Sequence, residues 1–131
     1  MTSILITGGA RSGKSHFAQE LALKADRPVL FVATAVAGDE EMRQRIEEHQ
    51  RLRPSDWSTL EVPTHVGDKI SQKIGGAQVV IVDCITLLVS NIFGQCTDQT
   101  GVRIDTPLVE KEITREIDAL IEGINHLDAS F

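Results

Sequence analysis

Three groups of residues in this chain have the types and spacing to do chemistry. The first is Gly8-Gly9-Ala10-Arg11-Ser12-Gly13-Lys14-Ser15, which fits the Walker A pattern G-x-x-x-x-G-K-[ST]. Glycines there let the backbone bend until several N–H groups converge on one anion. Lys14 is spaced to reach the β- and γ-phosphates of a nucleoside triphosphate, and Ser15 to offer its hydroxyl to Mg²⁺. All eight residues, Gly8, Gly9, Ala10, Arg11, Ser12, Gly13, Lys14 and Ser15, are candidate triphosphate contacts. The second group is Asp83, which ends the apolar run Gln78-Val79-Val80-Ile81-Val82 in the Walker B manner and is a candidate metal ligand with Ser15. An Asp ending a strand can also be a plain turn former; the Walker A loop is what favours the metal role. The third is His49, with Arg45 four residues before it and Arg53 four after. On a helix, cations on both sides favour an uncharged ring, the form a nucleophile needs. The same cations would offset charge building on an attacked phosphate. Set against this, a histidine on an apolar helix face is ordinarily a satisfied core residue.

These residues need a scaffold. Ile4-Leu5-Ile6-Thr7 reads as a strand leading into the loop, and Phe17, Ala18, Leu21, Ala22 and Ala25 recur at helical spacing behind it. A helix over about 14–25 would aim its N-terminal N–H groups and positive dipole end at the same anion. Asp26-Arg27-Pro28 ends it, and the continuous apolar run 29–34 reads as a parallel strand covered on both faces. Gly38-Asp39-Glu40-Glu41 opens a second helix to about Leu52, with Met42, Ile46, His49 and Arg53 on one face and Pro54 closing it. A short strand over 58–62 follows, then a helix marked by Val66, Ile70 and Ile74 and stopped at Gly75-Gly76. Beyond Asp83, 85–93 is expected to start a helix and 94–105 to be a mobile loop. Thr106 is expected to cap a last helix with Pro107 at its first position and a core stripe of Leu108, Ile113, Ile117, Leu120, Ile121 and Ile124. The fold class this implies is α/β, a mostly parallel sheet with helices on both faces. A helix so apolar should return into another strand, so the reading expects 1–131 to be one P-loop nucleotide-binding domain, the N-terminal portion of a longer one, with its C-terminal strands missing.

Composition narrows the function. The 131 residues carry a net charge of −6, with 41% hydrophobic and 24% charged residues and a pI of about 5.1. Without a basic footprint, nucleic acid is not an expected partner. The longest apolar run, 79–89, is broken by Asp83 and too short to span a bilayer. The start leaves no room for a signal peptide, so a cytoplasmic location is expected. Cys84 and Cys96 have no metal-like spacing, and Cys84 reads as a buried, inert thiol. His16, His65 and His126 lack a setting like that of His49, and solvated or capping roles fit them. Trp57, the sole tryptophan, reads as a packing anchor.

The segments at 6–15, Val-Ala-Thr-Ala at 32–35, Asp-Glu-Glu-Met at 39–42, Arg-Ile-Glu-Glu-His at 45–49, Arg-Pro-Ser-Asp-Trp at 53–57 and Val-Asp-Cys-Ile-Thr at 82–86 occur together and in order. As a set they resemble the bifunctional adenosylcobinamide kinase/adenosylcobinamide-phosphate guanylyltransferase family of cobalamin synthesis, over nearly the whole chain. The resemblance implies a RecA-like P-loop NTPase fold. It also implies phosphorylation of adenosylcobinamide by ATP or GTP, then transfer of GMP from GTP to the adenosylcobinamide phosphate through a guanylylated histidine, here His49. Lys14 is the other catalytic candidate. Ala33, Thr34 and Ala35 match a nucleotide-contacting turn, and Gln50, Arg51, Leu52, Arg53, Glu61 and Asp83 fall at further GTP contacts. Mg²⁺ as cofactor and a homo-oligomer, a trimer, are implied in the same way. The family commonly has Glu at position 83 and Lys-Asp-Gly where Gln50-Arg51-Leu52 stand, and it continues past the equivalent of Phe131 with a strand and an Asn-Glu-Val-Gly segment. Two other readings use the same loop: a different P-loop small-molecule kinase, which leaves His49 idle, and a nucleotide-binding fragment without chemistry.

Overall fold

The strand over Val29–Ala33 (β1) is buried at all five positions, and the rest of the molecule is arranged on its two faces. It pairs in parallel with Ser58–Glu61 (β2) on one side and Val79–Asp83 (β3) on the other, giving the order β2-β1-β3. The computed structural model describes residues 2–9, 11–97, 101 and 104–131. Its helices are α1 (Lys14–Ala25), α2 (Glu40–Leu52), α3 (Val66–Lys73), α4 (Ile85–Gln95) and α5 (Thr106–His126).

Because side chains alternate along a strand, an unbroken apolar run must find cover above and below. Leu30, Val32 and Val80 meet Val66 and Ile70 of α3, Leu88 and Ile92 of α4, and Val109 and Leu120 of α5. Val29, Phe31, Ala33, Val79 and Ile81 meet Ala18 and Ala22 of α1, with Trp57 beside them. Each large aliphatic side chain so buried contributes about 1.5–3 kcal/mol. The expected α/β architecture with helices on both faces is therefore present, and Trp57 packs as an anchor, its ring stacked on Phe31 at 6.5 Å between centroids.

Local chemistry explains the helix ends. Asp39 caps α2 by accepting from Met42 N at 2.7 Å, with Glu40 and Glu41 in the positive first turn. α5 corrects the expected cap: Asp105, not Thr106, accepts from Leu108 N at 3.1 Å, a carboxylate serving where a hydroxyl was expected. Its stripe also differs, since Leu108 and Ile121 are 39% and 48% exposed while Val109, Glu116 and Gly123 are buried. The buried face lies where α5 crosses α3, and Gly67 marks the crossing: a Cβ there would lie 2.5 Å from the Ala119 carbonyl carbon. α4 runs through Gln95, two residues past the expected segment, and residues 98–100 and 102–103 of the expected loop lie outside the described residues.

The strand expected over 4–7 does not form. Ile4 N donates to Phe131 O at 2.9 Å, and Phe131 N donates to Thr2 O at 3.1 Å. Ser130 meanwhile bridges to Val79 in parallel, accepting from Val80 N at 2.7 Å. The segment 129–131 thus separates 2–4 from β3. A strand exists only where a ladder satisfies its backbone groups. Beyond Ile4 no described residue continues that ladder, and Leu5 is 82% exposed.

Candidate nucleotide-binding site

The register of the sheet sets the site. Ala33 is aligned with Glu61 on one side and Asp83 on the other, so the last residues of all three strands stand in a row. Partners in register share a face, and this face is the one α1 covers. Ligands of open α/β sheets gather at such a carboxyl edge.

The loop before α1 has the bends an anion cradle needs. Arg11 (φ 57°) and Gly13 (φ 89°) are both left-handed, and Ser12 N donates to Gly9 O at 3.3 Å. A Cβ at Gly8 would lie 2.7 Å from Ser12 Oγ and 3.3 Å from Lys14 Cγ, so a side chain there would have to displace both. Lys14 folds back over the loop, its Nζ donating to Gly8 O at 2.9 Å and Gly9 O at 2.8 Å. The ammonium is thereby held at the mouth of the loop, bonded only to neutral carbonyls, bonds a phosphate oxygen would outcompete. Ser15 is half-buried in the first turn of α1. Ala10 lies outside the described residues.

The end of α2 is tied to the same edge. Gln50 Nε2 donates to Glu61 Oε1. Arg53 departs from the expected geometry: the helix stops at Leu52, Arg53 is extended (ψ 141°), and its guanidinium lies 3.8 Å over the Phe31 ring instead of beside His49. Its Nε and Nη1 are buried with no hydrogen-bond partner among the described residues. Burial pulls this guanidinium below the ordinary arginine range, while the nearby carboxylates of Asp83 and Glu61 pull the other way. A half-buried cation with two buried idle donors near two acids is an unfinished hydrogen-bond set. His49 itself is exposed, as are Arg45, Arg51 and Leu52, the last at 76%. The core-histidine reading is therefore excluded.

The β1–α2 turn is held rigidly. Thr34 is fully buried; its hydroxyl donates to Cys84 O and accepts from Cys84 N, both at 2.8 Å. Its side chain is thus spent inside the fold, leaving the half-exposed Ala35 and the backbone to face outward. Cys84 is half-buried, not buried as expected, and its Sγ accepts from Leu87 N at 3.4 Å, capping α4. Cys96 is the buried thiol. The remaining histidines have local partners or caps: His16 meets Glu20 at 3.0 Å, His126 meets Glu122 O at 2.9 Å, and His65 stands at the start of α3.

Sequence reasoning missed a second polar set behind the edge. Asn91 Nδ2 donates to Thr34 O at 2.8 Å and Pro63 O at 2.9 Å. The buried Glu116 accepts from the backbone N–H groups of His65 and Val66, standing in as a remote cap for α3. One signal was available: Asn91 interrupts the apolar segment 85–93, and a polar group among apolar ones must find partners.

The parallel sheet, the phosphate loop opening α1 and the aspartate ending β3 define a P-loop nucleotide-binding protein of the α/β class. Comparison with known proteins carries this further. The family model described as cobinamide kinase / cobinamide phosphate guanyltransferase matches residues 4–131, and the chain belongs to that family. It is 40% identical over 127 residues to the bifunctional adenosylcobalamin biosynthesis protein CobU of Escherichia coli, covering 96% of this chain and 70% of that relative. The CobU protein of Salmonella typhimurium is 38% identical over 128 residues, with the same coverage. The CobP protein of Pseudomonas aeruginosa is 44% identical over 88 residues, 67% of this chain and 51% of that protein. No helix among the described residues is long and apolar enough to cross a membrane.

Proposed function

We propose that this protein phosphorylates adenosylcobinamide with ATP or GTP and then transfers GMP from GTP to adenosylcobinamide phosphate, giving adenosylcobinamide-GDP. Family membership is one support. The observation that carries the site assignment is the row Glu61–Ala33–Asp83, with the turn bearing His49 tied to it by Gln50 and Arg53 beside it with idle donors.

In the phosphoryl step, the loop amides and Lys14 grip the β- and γ-phosphates while the substrate hydroxyl, giving up its proton, attacks the γ-phosphorus and the nucleoside diphosphate leaves with the electron pair of the broken P–O bond. In the nucleotidyl step, an exposed ring nitrogen of His49 attacks the α-phosphorus of GTP and pyrophosphate leaves with the electron pair of the broken P–O bond. A phosphate oxygen of the substrate then displaces the ring nitrogen. Arg53 supplies donors to the charge that develops. Ser15 and Asp83 would hold Mg²⁺, which neutralises triphosphate charge. No group of three or more His, Cys, Asp or Glu among the described residues could hold a metal alone, which suits an ion bound through one carboxylate, one hydroxyl and phosphate oxygens. The remaining nucleotide contacts in the proposal are Gly8 to Gly13, Ala33 to Ala35, Arg51 and Leu52. Residues 1–131 act as one nucleotide-binding domain in this reading, both apolar clusters sharing one sheet, and the family resemblance favours a trimeric assembly.

Incubation with GTP labelled at the α-phosphate tests this directly. Acid-labile label should appear on the chain and vanish in His49→Ala, while Lys14→Ala should lose γ-transfer to adenosylcobinamide. Unlabelled wild-type protein, or full labelling of His49→Ala, refutes the guanylyltransferase assignment. γ-Transfer without any label would leave the reading as another P-loop kinase.

A further inference from the structure

The carboxyl edge is stapled from behind by one side-chain amide. Asn91 projects from the middle of α4 and spends both hydrogens of Nδ2 on carbonyls of two different segments, Thr34 O after β1 and Pro63 O after β2. Only this orientation of the amide works, since Oδ1 in that place would confront two acceptors. Thr34, so held, bonds the chain at the end of β3 three times. Its N–H donates to Asp83 O at 3.1 Å, its hydroxyl accepts from Cys84 N, and the same hydroxyl donates to Cys84 O. Val62 N donates to Ala33 O at 2.9 Å and completes the tie on the β2 side. The backbone leaving Asp83 is therefore fixed by Thr34, the backbone entering it is held by the pairing of β3 with β1, and Thr34 is fixed by Asn91.

We propose that Asn91 is a positioning residue for Asp83: through Thr34 it holds the carboxylate where it completes the oxygen set around a triphosphate-bound Mg²⁺. This rests on the metal role proposed for Asp83. Asn91 touches no reacting atom in this scheme; it determines how well the metal-ligating carboxylate is aimed. Loss of its two donors frees Thr34 O and Pro63 O to seek water, and the strand end that carries Asp83 relaxes. Grip on the triphosphate itself, made by the loop amides and Lys14, is untouched.

The experiment compares GTP affinity of the purified protein with Mg²⁺ and in EDTA, by fluorescence of a labelled GTP analogue. Asn91→Leu should cut the Mg²⁺-dependent gain in affinity by about five-fold or more, the worth of one ordinary hydrogen bond. Affinities in EDTA should stay within about two-fold of wild type. Asp83→Asn should remove the same gain, and the double variant should lose no more than Asp83→Asn alone, the signature of two residues acting as one unit. A purely structural role for Asn91 would weaken binding equally with and without Mg²⁺, and that result overturns the proposal. So does an intact Mg²⁺ gain in Asn91→Leu beside a lost one in Asp83→Asn. If Asp83→Asn itself keeps the gain, the metal role of Asp83 fails first. Should Asn91→Leu not fold, Asn91→Ala, which leaves room for water at both carbonyls, is read by the same criteria.

Discussion

Replacing Arg53 with methionine should make the ligand-free protein more stable and a worse binder of GTP. Its Nε and Nη1 are buried with no partner among the described residues, and each such donor costs about 1–3 kcal/mol. Stacking on Phe31 at 3.8 Å returns about 0.5–2 kcal/mol, and attraction to Asp83 and Glu61 returns part of the rest. Methionine keeps an apolar and sulfur contact with the ring while removing the idle donors. The balance favours Arg53→Met by about 1 kcal/mol. For a domain of this size that raises the melting temperature by about 3 °C, measured by calorimetry without nucleotide. Removing a charged donor from a triphosphate should cost about 1.5–3 kcal/mol, or about 10- to 100-fold in Kd by titration calorimetry with Mg·GTP. A melting temperature lowered by several degrees with Kd unchanged would refute the reasoning. It would make the guanidinium a staple between the α2 exit and Phe31, with no part in binding.

Three further outcomes follow from the packing. Gly67→Ala forces a methyl to within 2.5 Å of the Ala119 carbonyl carbon, so the α3–α5 crossing must open. Urea unfolding should show a loss of about 1–3 kcal/mol with an unchanged m-value. Glu116→Leu strands the N–H groups of His65 and Val66 and should cost about 2 kcal/mol more than Glu116→Gln, which keeps an acceptor. Burial pushes the Cys96 thiol up, with Glu112 and then Asp105 adding to it. The folded state therefore keeps a proton that the unfolded chain gives up near the ordinary thiol value of about 8.5. Its contribution is whole below that value and lost as pH rises through the folded one; Cys96→Ala should flatten the fall in melting temperature on the alkaline side.

How much was legible in the sequence depended on whether the relevant physics was local. The phosphate loop, the strand-ending Asp83, α1 from Lys14 to Ala25 and the Asp39 cap of α2 follow from spacing and from side chains reaching their own backbone. So does the covering of β1 on both faces, because an unbroken apolar run has no other stable environment. A strand at 4–7 could not be judged in this way, since its ladder depends on residues more than 120 positions away at 129–131. The same holds for Arg53, which helical spacing puts beside His49 and the tertiary structure lays on Phe31. An extended residue after a helix is free to follow whichever contact the sheet offers.

By itself, then, the sequence determined what kind of ligand this chain is made for, because glycines, one lysine and one serine at fixed spacing act through neighbouring backbone. Only the tertiary structure decided which residues line up along the carboxyl edge of the sheet. The alignment of Glu61, Ala33 and Asp83 arises from strand register. The ties of Asn91 to Thr34 and of Glu116 to α3 arise from helices crossing the sheet 50 or more residues away. Such contacts are set by the packing of whole elements, which no local pattern of side chains encodes.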